Sequence, residues 1–122
     1  MVSYVPPGWP GSVPPPGTDA WEAAAVKWLT GLIPPGYWDM PVLREYPVVL
    51  AALARHHTMA CLLGMRDSYR TVRTDLGPYL PPQAIGEVLD VHVREGGRLR
   101  ADAEAVELVS RALRGERFSP FT

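Results

Sequence analysis

Cysteine is almost absent from the chain, which has Cys61 alone among its 122 residues. A single cysteine excludes an internal disulfide framework and a cysteine-rich zinc site, and it is typical of a reducing compartment. An excess of charge of one sign is also lacking, because 12 lysines and arginines face 13 aspartates and glutamates, for a net charge of −1. No field of the whole molecule therefore draws it to nucleic acid or to an anionic membrane.

The common catalytic signatures are missing as well. The sequence contains no G-x-S-x-G elbow, no P-loop, no H-E-x-x-H zinc helix and no G-x-G-x-x-G dinucleotide fingerprint. No glutamate is followed by histidine three residues later, so the ligand pattern of a di-iron bundle is absent too. We predict a protein that is not an enzyme, needs no cofactor and binds no metal.

The N-terminal segment lacks the features of a secretory signal, since residues 1–18 carry six prolines and no charged side chain. The longest apolar run is Val48–Met65, and Arg55 lies near its middle beside His56 and His57. An arginine at the centre of a membrane-spanning helix costs about 2.5 to 3.5 kcal/mol. We therefore expect a cytoplasmic protein without a membrane partner, in which this run is a buried helix of a soluble core.

Proline and glycine, by contrast, are abundant, and nine of them fall in residues 1–17. Because proline has no N–H and a fixed φ, this segment predicts an extended or polyproline II arm. Trp9 and Val13 are interleaved with the prolines, so we expect the arm to lie across the helical body and cover an apolar groove. A proline-rich ligand for the aromatic-lined groove of a partner is the alternative.

The remainder of the sequence has helical periodicity and no strand-like alternation. Asp19 and Glu22 have capping-box spacing, which places the start of the first helix at Thr18 or Asp19. Asp39 can cap a short helix that Pro47 ends. Prolines and glycines delimit three further helices, which we predict over residues 47–76, 82–95 and 99–114. The predicted break at Gly96-Gly97 gives the last two helices a loose helix-turn-helix outline.

The predicted fold is all-α, a compact bundle of four main helices around the long central helix over residues 47–76, with the arm packed on it. Arg55 is the one formal charge between Pro47 and Met65, and apolar residues occur on every side of this stretch, as in a helix surrounded by others. The predicted organisation is an arm over residues 1–17, a bundle domain over 18–115 and a tail over 116–122.

Tryptophan is concentrated at one end of the chain, with all four residues in the first 38. Two of them are seven residues apart in the first predicted helix and therefore share a face. Together the four can form an aromatic cluster that holds the arm down and that becomes a partner or dimer site where it is uncovered. The candidate partner-binding residues are Trp9, Trp21, Trp28 and Trp38.

Arginines of the long helix recur at nearly whole turns and therefore lie within about 60° of one another. This predicted ridge is a candidate surface for nucleic acid or an acidic partner, because the planar guanidinium favours bidentate phosphate and carboxylate contacts. Interleaved aspartates and glutamates make a solvated charged face the alternative. The ridge consists of Arg55, Arg66, Arg70 and Arg73, and a second cluster around the predicted break consists of Arg94, Arg98 and Arg100.

Three histidines and the cysteine are the remaining residues whose side chains could bind a metal ion or a ligand. His57 and Cys61 have the i, i+4 spacing at which two side chains can share a zinc ion, but no carboxylate lies at ligand spacing. We interpret them as packed core residues whose polar atoms are hydrogen-bonded. The sequence leaves open whether His56, His57 and His92 line a ligand pocket.

Four short motifs carry a resemblance that extends over the whole chain: V-P-P-G-W-P near the start, W-x-x-x-A-x-x-W-L at 21–29, P-P-G-Y at 34–37 and R-A-L-R-G at 111–115. The chain resembles short uncharacterised helical proteins encoded in high-GC actinomycete genomes. The resemblance implies an intracellular helical protein and carries over no functional residue. We expect a non-enzymatic interaction or regulatory module that self-associates, with a nucleic-acid-binding transcriptional regulator that uses the arginine ridge as the alternative.

Overall fold

A computed structural model describes residues 4–120 as four α-helices without a strand in that range. The predicted all-α class is confirmed. The outer ends of the predicted arm and tail, residues 1–3 and 121–122, lie outside the described residues. A single 3₁₀ turn, Pro35–Tyr37, joins the first two helices. The helices are α1 (Trp21–Thr30), α2 (Pro41–Glu45), α3 (Pro47–Leu76) and α4 (Pro82–Leu113).

Proline and glycine set most of these bounds. Pro41, Pro47 and Pro82 each occupy the first turn of a helix, where a missing N–H costs nothing and the fixed φ already suits the helix. Gly115, with φ +99°, follows the end of α4 in the left-handed conformation that commonly terminates helices. The predicted capping box is wrong, because α1 begins at Trp21 after Ala20 and no side chain caps it.

The two long helices form an antiparallel hairpin. Arg55 of α3 lies against Glu107 of α4, and Ser68 lies against His92, so residue numbers run in opposite directions along the pair. With 30 and 32 residues, the helices are about 45 and 48 Å long at 1.5 Å per residue. The hairpin is the frame of the molecule, and α1 and α2 pack near one end of it.

The predicted break at Gly96-Gly97 is wrong, because α4 runs through both glycines without interruption. The predicted third and fourth main helices are therefore one helix, and the loose helix-turn-helix outline disappears. A glycine inside a helix costs only about 1 kcal/mol relative to alanine. Packing of α4 against α3 on both sides of the glycines outweighs that cost.

Replacement of both glycines by alanine tests this continuity. A Cβ built on either Gly96 or Gly97 meets no atom within 4 Å, so G96A/G97A adds helix propensity without a clash. We expect the free energy of unfolding to rise by about 1 to 2 kcal/mol in urea denaturation, since each change contributes about 0.5 to 1 kcal/mol. A lower stability of the double variant would show that the chain bends at this point.

The main hydrophobic core lies at the end of the hairpin that carries α1. There α1 supplies Ala25 and Leu29, α3 supplies Leu50 and Ala54, and α4 closes the cluster with Val106 and Val109. Val13, which is 3% exposed, belongs to the same cluster. The other half of the hairpin has only a small second cluster of Val72, Ile85 and Leu89. In the other half of the hairpin, α3 and α4 therefore pack mainly against each other.

The expectation that α3 is enclosed on all sides through Val48–Met65 is wrong. Buried residues of this stretch form one stripe, and the opposite face is open to solvent, because α1, α2 and α4 contact only one side of it. By length and composition α3 could also cross a membrane, and it is the one helix of residues 4–120 that passes this test. Only 28% of its most apolar window is buried. No other element among residues 4–120 covers the open face. The buried stripe is Leu50, Ala51, Ala54, Thr58 and Leu62.

Candidate functional site: the open face and the groove of the hairpin

The open side of α3 presents an apolar stripe at alternating spacings of three and four residues, which is the pattern of a helix–helix seam. Leu63 is 59% exposed, Val49 is 42% exposed and Met59 is 41% exposed. The spacing and the exposure together mark a surface suited to packing against another helix. We call this stripe the α3 face, and it consists of Val49, Ala52, His56, Met59 and Leu63.

Part of this side of α3 is symmetric about His56, although the mirror position of Met59 is Leu53, which packs against the core. Val49 and Leu63 lie seven residues before and after it, and the small residues Ala52 and Ala60 lie four residues before and after it. All four of these side chains are apolar. A surface that is its own complement under a two-fold rotation is what an isologous dimer requires.

A groove of about 380 Å³ lies between α3 and α4, in the half of the hairpin away from α1. Its polar groups include three guanidinium groups, those of Arg66, Arg70 and Arg100, and none of the lining residues is acidic. The rest of the lining is largely apolar. The groove therefore combines a hydrophobic floor with positive charge. The uncharged lining residues are Leu62, Met65, Tyr69, His92, Val93 and Gly96.

A second groove of about 610 Å³ continues along the hairpin toward the N-terminal segment and includes Pro7. It shares Leu62, Arg66 and Arg100 with the first groove. Glu104 and Glu107 line it as well. The positive charge is thus concentrated where the two grooves meet, and the end near Pro7 is partly neutralised.

The structure divides the predicted arginine ridge. Arg55 pairs with Glu107 at 3.4 Å, and Arg70 pairs with Asp67 at 2.6 Å. Arg66 and Arg73 form no ion pair within residues 4–120, and Arg73 lines a separate depression near the helix turn. Arg66 is therefore the ridge member whose charge is free beside the α3–α4 groove.

Arg100 lies in a different place from the one that its sequence neighbours predict. The predicted break grouped it with Arg94 and Arg98, but the uninterrupted α4 turns these two toward another side, where they lie beside Val91. Arg100 instead joins Arg66 in both grooves and forms no ion pair among the described residues. Helical phasing through Gly97 was the signal that could have found it.

Arg98 is occupied within its own helix. Its guanidinium donates to Glu95 and, at 3.0 Å, to Asp102. The hydrogen bond from Arg98 lowers the pKa of Glu95, whereas partial burial raises the pKa of Asp102. Both acids thus lie on the side of α4 that Arg98 occupies, and the charge of Arg98 is already paired with two carboxylates.

The four tryptophans have different environments. Trp21 is buried in the main core beneath the guanidinium of Arg117, whose central carbon is 5.8 Å from the ring. Trp9 and Trp28 are partly buried against the same core. Trp38 is 43% exposed, although its indole N–H donates to the carbonyl of Ile33. Of the four candidates, Trp38 presents the most surface to solvent.

The N-terminal segment contacts the helical body through Trp9 and Val13. The indole N–H of Trp9 donates to the carbonyl of Val13 at 2.7 Å, and its ring packs edge to face on Phe118 at 5.9 Å. Nearby, Gly8 adopts φ +95° and approaches Leu108 of α4. The arrangement brings the beginning and the end of the described chain together over the core.

The histidines do not converge. His92 lies at the α3–α4 groove, where its Nδ1 donates to the carbonyl of Val88 at 2.8 Å and its Nε2 accepts from the Ser68 hydroxyl at 2.7 Å. His57 contacts Cys61 at 3.5 Å within one turn of α3. His56 belongs to the α3 face. Within residues 4–120 no group of three or more histidine, cysteine or acidic side chains could hold a metal ion.

Comparison with protein-family models, with curated proteins and with solved structures finds no match.

Proposed function

We propose that this chain is a non-enzymatic protein-interaction module that acts in the cytoplasm as a homodimer. The observation that carries the proposal is the α3 face, an apolar stripe left open along a helix that the other elements of residues 4–120 cover on one side only. Exposure of such a stripe costs about 25 cal/mol for each Å² of apolar surface. A second copy is the partner that we propose, because Val49 and Leu63 lie at equal distances on either side of His56 and face each other across a two-fold axis through it.

Charge favours an antiparallel pairing of the two copies of α3. Glu45 is the last residue of α2, just before α3 begins, and lies eleven residues before His56. Arg66 of α3 lies ten residues after His56, and neither residue forms an ion pair within residues 4–120. An antiparallel arrangement centred on His56 brings Glu45 of one copy toward Arg66 of the other. A parallel arrangement would place like charges together at both ends, which opposes association.

The dimer gives α3 the central position expected from its composition. In the proposed assembly α1 and α4 cover one side of α3, and the second copy covers the other. The long helix is then the centre of a bundle that two chains build together. This places Val49, Met59 and Leu63 in an apolar environment.

In the proposed dimer, the N-terminal arm stays on its own chain. Residues 4–17 act as a covering segment for the core of their own chain, because Val13 is inserted among core residues of α1, α3 and α4. Trp9 closes over it by contact with Phe118. The tryptophans at this end then serve cohesion of the fold, and Trp38 remains the one available for a partner.

Sedimentation velocity over a protein concentration series tests the dimer. The α3 face spans 15 residues from Val49 to Leu63, or about 21 Å at 1.5 Å per residue. One helix stripe of this length buries less surface than the roughly 800 Å² that each partner buries in a standard interface. We therefore expect a monomer at low micromolar concentration that converts to a dimer by about 100 μM. A monomer throughout the series, or recovery with lipid vesicles in flotation, would overturn the proposal.

A nucleic-acid-binding regulator is the second candidate, and the unpaired Arg66 and Arg100 in one groove favour it. On that hypothesis the protein is retained on heparin or random-sequence DNA at 50 mM salt, elutes as salt rises, and loses retention in Arg70→Glu and Arg66→Glu. Arg94→Glu, which changes an arginine outside the groove, is the matched control. If the protein is instead the interaction module proposed above, we expect heparin and DNA not to retain the wild type at 150 mM salt.

A further inference from the structure

Two guanidinium groups without a carboxylate partner adjoin an apolar floor in the α3–α4 groove. Arg66 and Arg100 line it, no acidic residue does, and neither arginine forms an ion pair within residues 4–120. Other arginines of the hairpin, Arg55, Arg70 and Arg98, each have a carboxylate. A guanidinium beside apolar surface binds a carboxylate or phosphate strongly, because its planar group can donate two parallel hydrogen bonds.

Gly96 keeps the groove open. It lies inside α4, where glycine is unfavourable relative to alanine by about 1 kcal/mol. No close approach of another segment requires it, because a Cβ at this position meets no atom within 4 Å. Its backbone lines the groove opposite Leu62 and Met65 of α3. A side chain at residue 96 would therefore extend into empty space between the helices.

From this geometry we infer that the groove binds an anionic amphiphile: a small molecule with one carboxylate or phosphate group and an unbranched apolar chain. The chain lies on Leu62, Met65 and Val93, and the anionic group accepts hydrogen bonds from Arg66 and Arg100. The volume of about 380 Å³ falls within the range of about 300 to 1,000 Å³ that is common for small-molecule sites. None of the residues that line this groove belongs to the α3 face. Arg66 is also the residue that the proposed dimer brings toward Glu45, and Met59 of the α3 face lines the adjoining second groove.

Calorimetric titration with three probes tests the chemistry. Decanoate below its micelle concentration carries both the charge and the chain, 1-decanol carries the chain alone, and inorganic phosphate carries the charge alone. We expect saturable 1:1 binding of decanoate and binding of decanol that is at least about 10-fold weaker, as the loss of a charge-assisted hydrogen bond predicts. Phosphate should show no saturation at 1 mM. Equal binding of decanol or of phosphate would overturn the inference.

Paired variants locate the site. Gly96→Leu fills the groove and should abolish decanoate binding, whereas Gly97→Leu, at the neighbouring exposed position, should leave it unchanged. Arg100→Ala should weaken binding about 10-fold, and Arg94→Ala should not. Circular dichroism confirms that each variant is folded. Decanoate binding that is the same in Gly96→Leu and wild type, or absent from wild type, would overturn the inference.

The inference can fail independently of the proposed dimer. In Leu63→Glu, a change on the α3 face, decanoate should bind as it does to wild type. Loss of decanoate binding in this variant would show that the two surfaces are one site, and would overturn the assignment of a separate groove.

Discussion

Leu63→Glu weakens the self-association of this protein by at least about 100-fold, the largest effect on assembly that we expect from one substitution. Leu63 is 59% exposed in the single chain, and in the proposed dimer it packs against Val49 of the second copy. The glutamate would bury an unpaired charge at the seam, and the free-energy cost of about 3 kcal/mol or more corresponds to that factor. Sedimentation equilibrium gives the dissociation constant directly.

A matched control for this variant lies on α4. Val91 is 56% exposed and does not belong to the α3 face, so Val91→Glu places the same charge on a comparable helix surface. We expect its dissociation constant to stay within about 3-fold of wild type, since exposed substitutions change free energies by about 0.5 kcal/mol. Equal weakening in the two variants would mean that the charge acts by general repulsion, and equal retention would mean that Leu63 lies outside the interface.

The largest effect on stability is expected for Leu29→Ala. Leu29 has no exposed surface and ties α1 to the core formed with α3 and α4. Removal of its branched end loses apolar burial and leaves a cavity, which together cost about 2 to 5 kcal/mol. Domains of this kind have total stabilities of about 5 to 15 kcal/mol, so the loss is a large share of the whole. Urea denaturation followed by circular dichroism measures it.

Leu63→Ala serves as the control for Leu29→Ala, because the same atoms are removed from an exposed position. At a protein concentration where wild type is monomeric, its free energy of unfolding should fall by less than about 0.5 kcal/mol. If Leu29→Ala were equally mild, α1 would not be part of a cooperative core, and the architecture would reduce to the hairpin alone.

Local chemistry in the sequence predicted the elements better than it predicted their surroundings. α3 has the bounds that Pro47 and Gly77-Pro78 indicate, and Gly115 follows the end of α4 as its lack of a side chain suggests. The break at Gly96-Gly97 was wrong because helix propensity is a weak local term that packing along 32 residues of α4 overrides. Prolines at helix ends therefore predict where a helix begins or stops, whereas glycines that only weaken a helix do not predict a break.

The candidate surfaces show the same division. The periodicity of α3 predicts Arg66 and Arg70 on one side of the helix, and both line the α3–α4 groove. The sequence does not predict their groove partner Arg100, because the predicted break at Gly96-Gly97 removes the helical spacing that relates Arg100 to the rest of α4. The sequence predicts that the run Val48–Met65 is enclosed because composition reports apolar side chains and not the number of neighbouring helices. Its three-four spacing opposite Leu50 and Leu62 was the signal that one face would remain open.

Disulfide trapping at residue 56 tests the central claim most directly. In a Cys61→Ala background, His56→Cys places one thiol of each copy on the proposed two-fold axis, where helices about 9 Å apart bring Cα atoms within disulfide range. Val49→Cys alone should not cross-link, because its two copies lie about 21 Å apart along the helix, but a mixture with Leu63→Cys should. We predict rapid covalent dimerisation for His56→Cys and for the mixture. Cross-linking of Val49→Cys with itself, or none at residue 56, would contradict an antiparallel pairing through the α3 face.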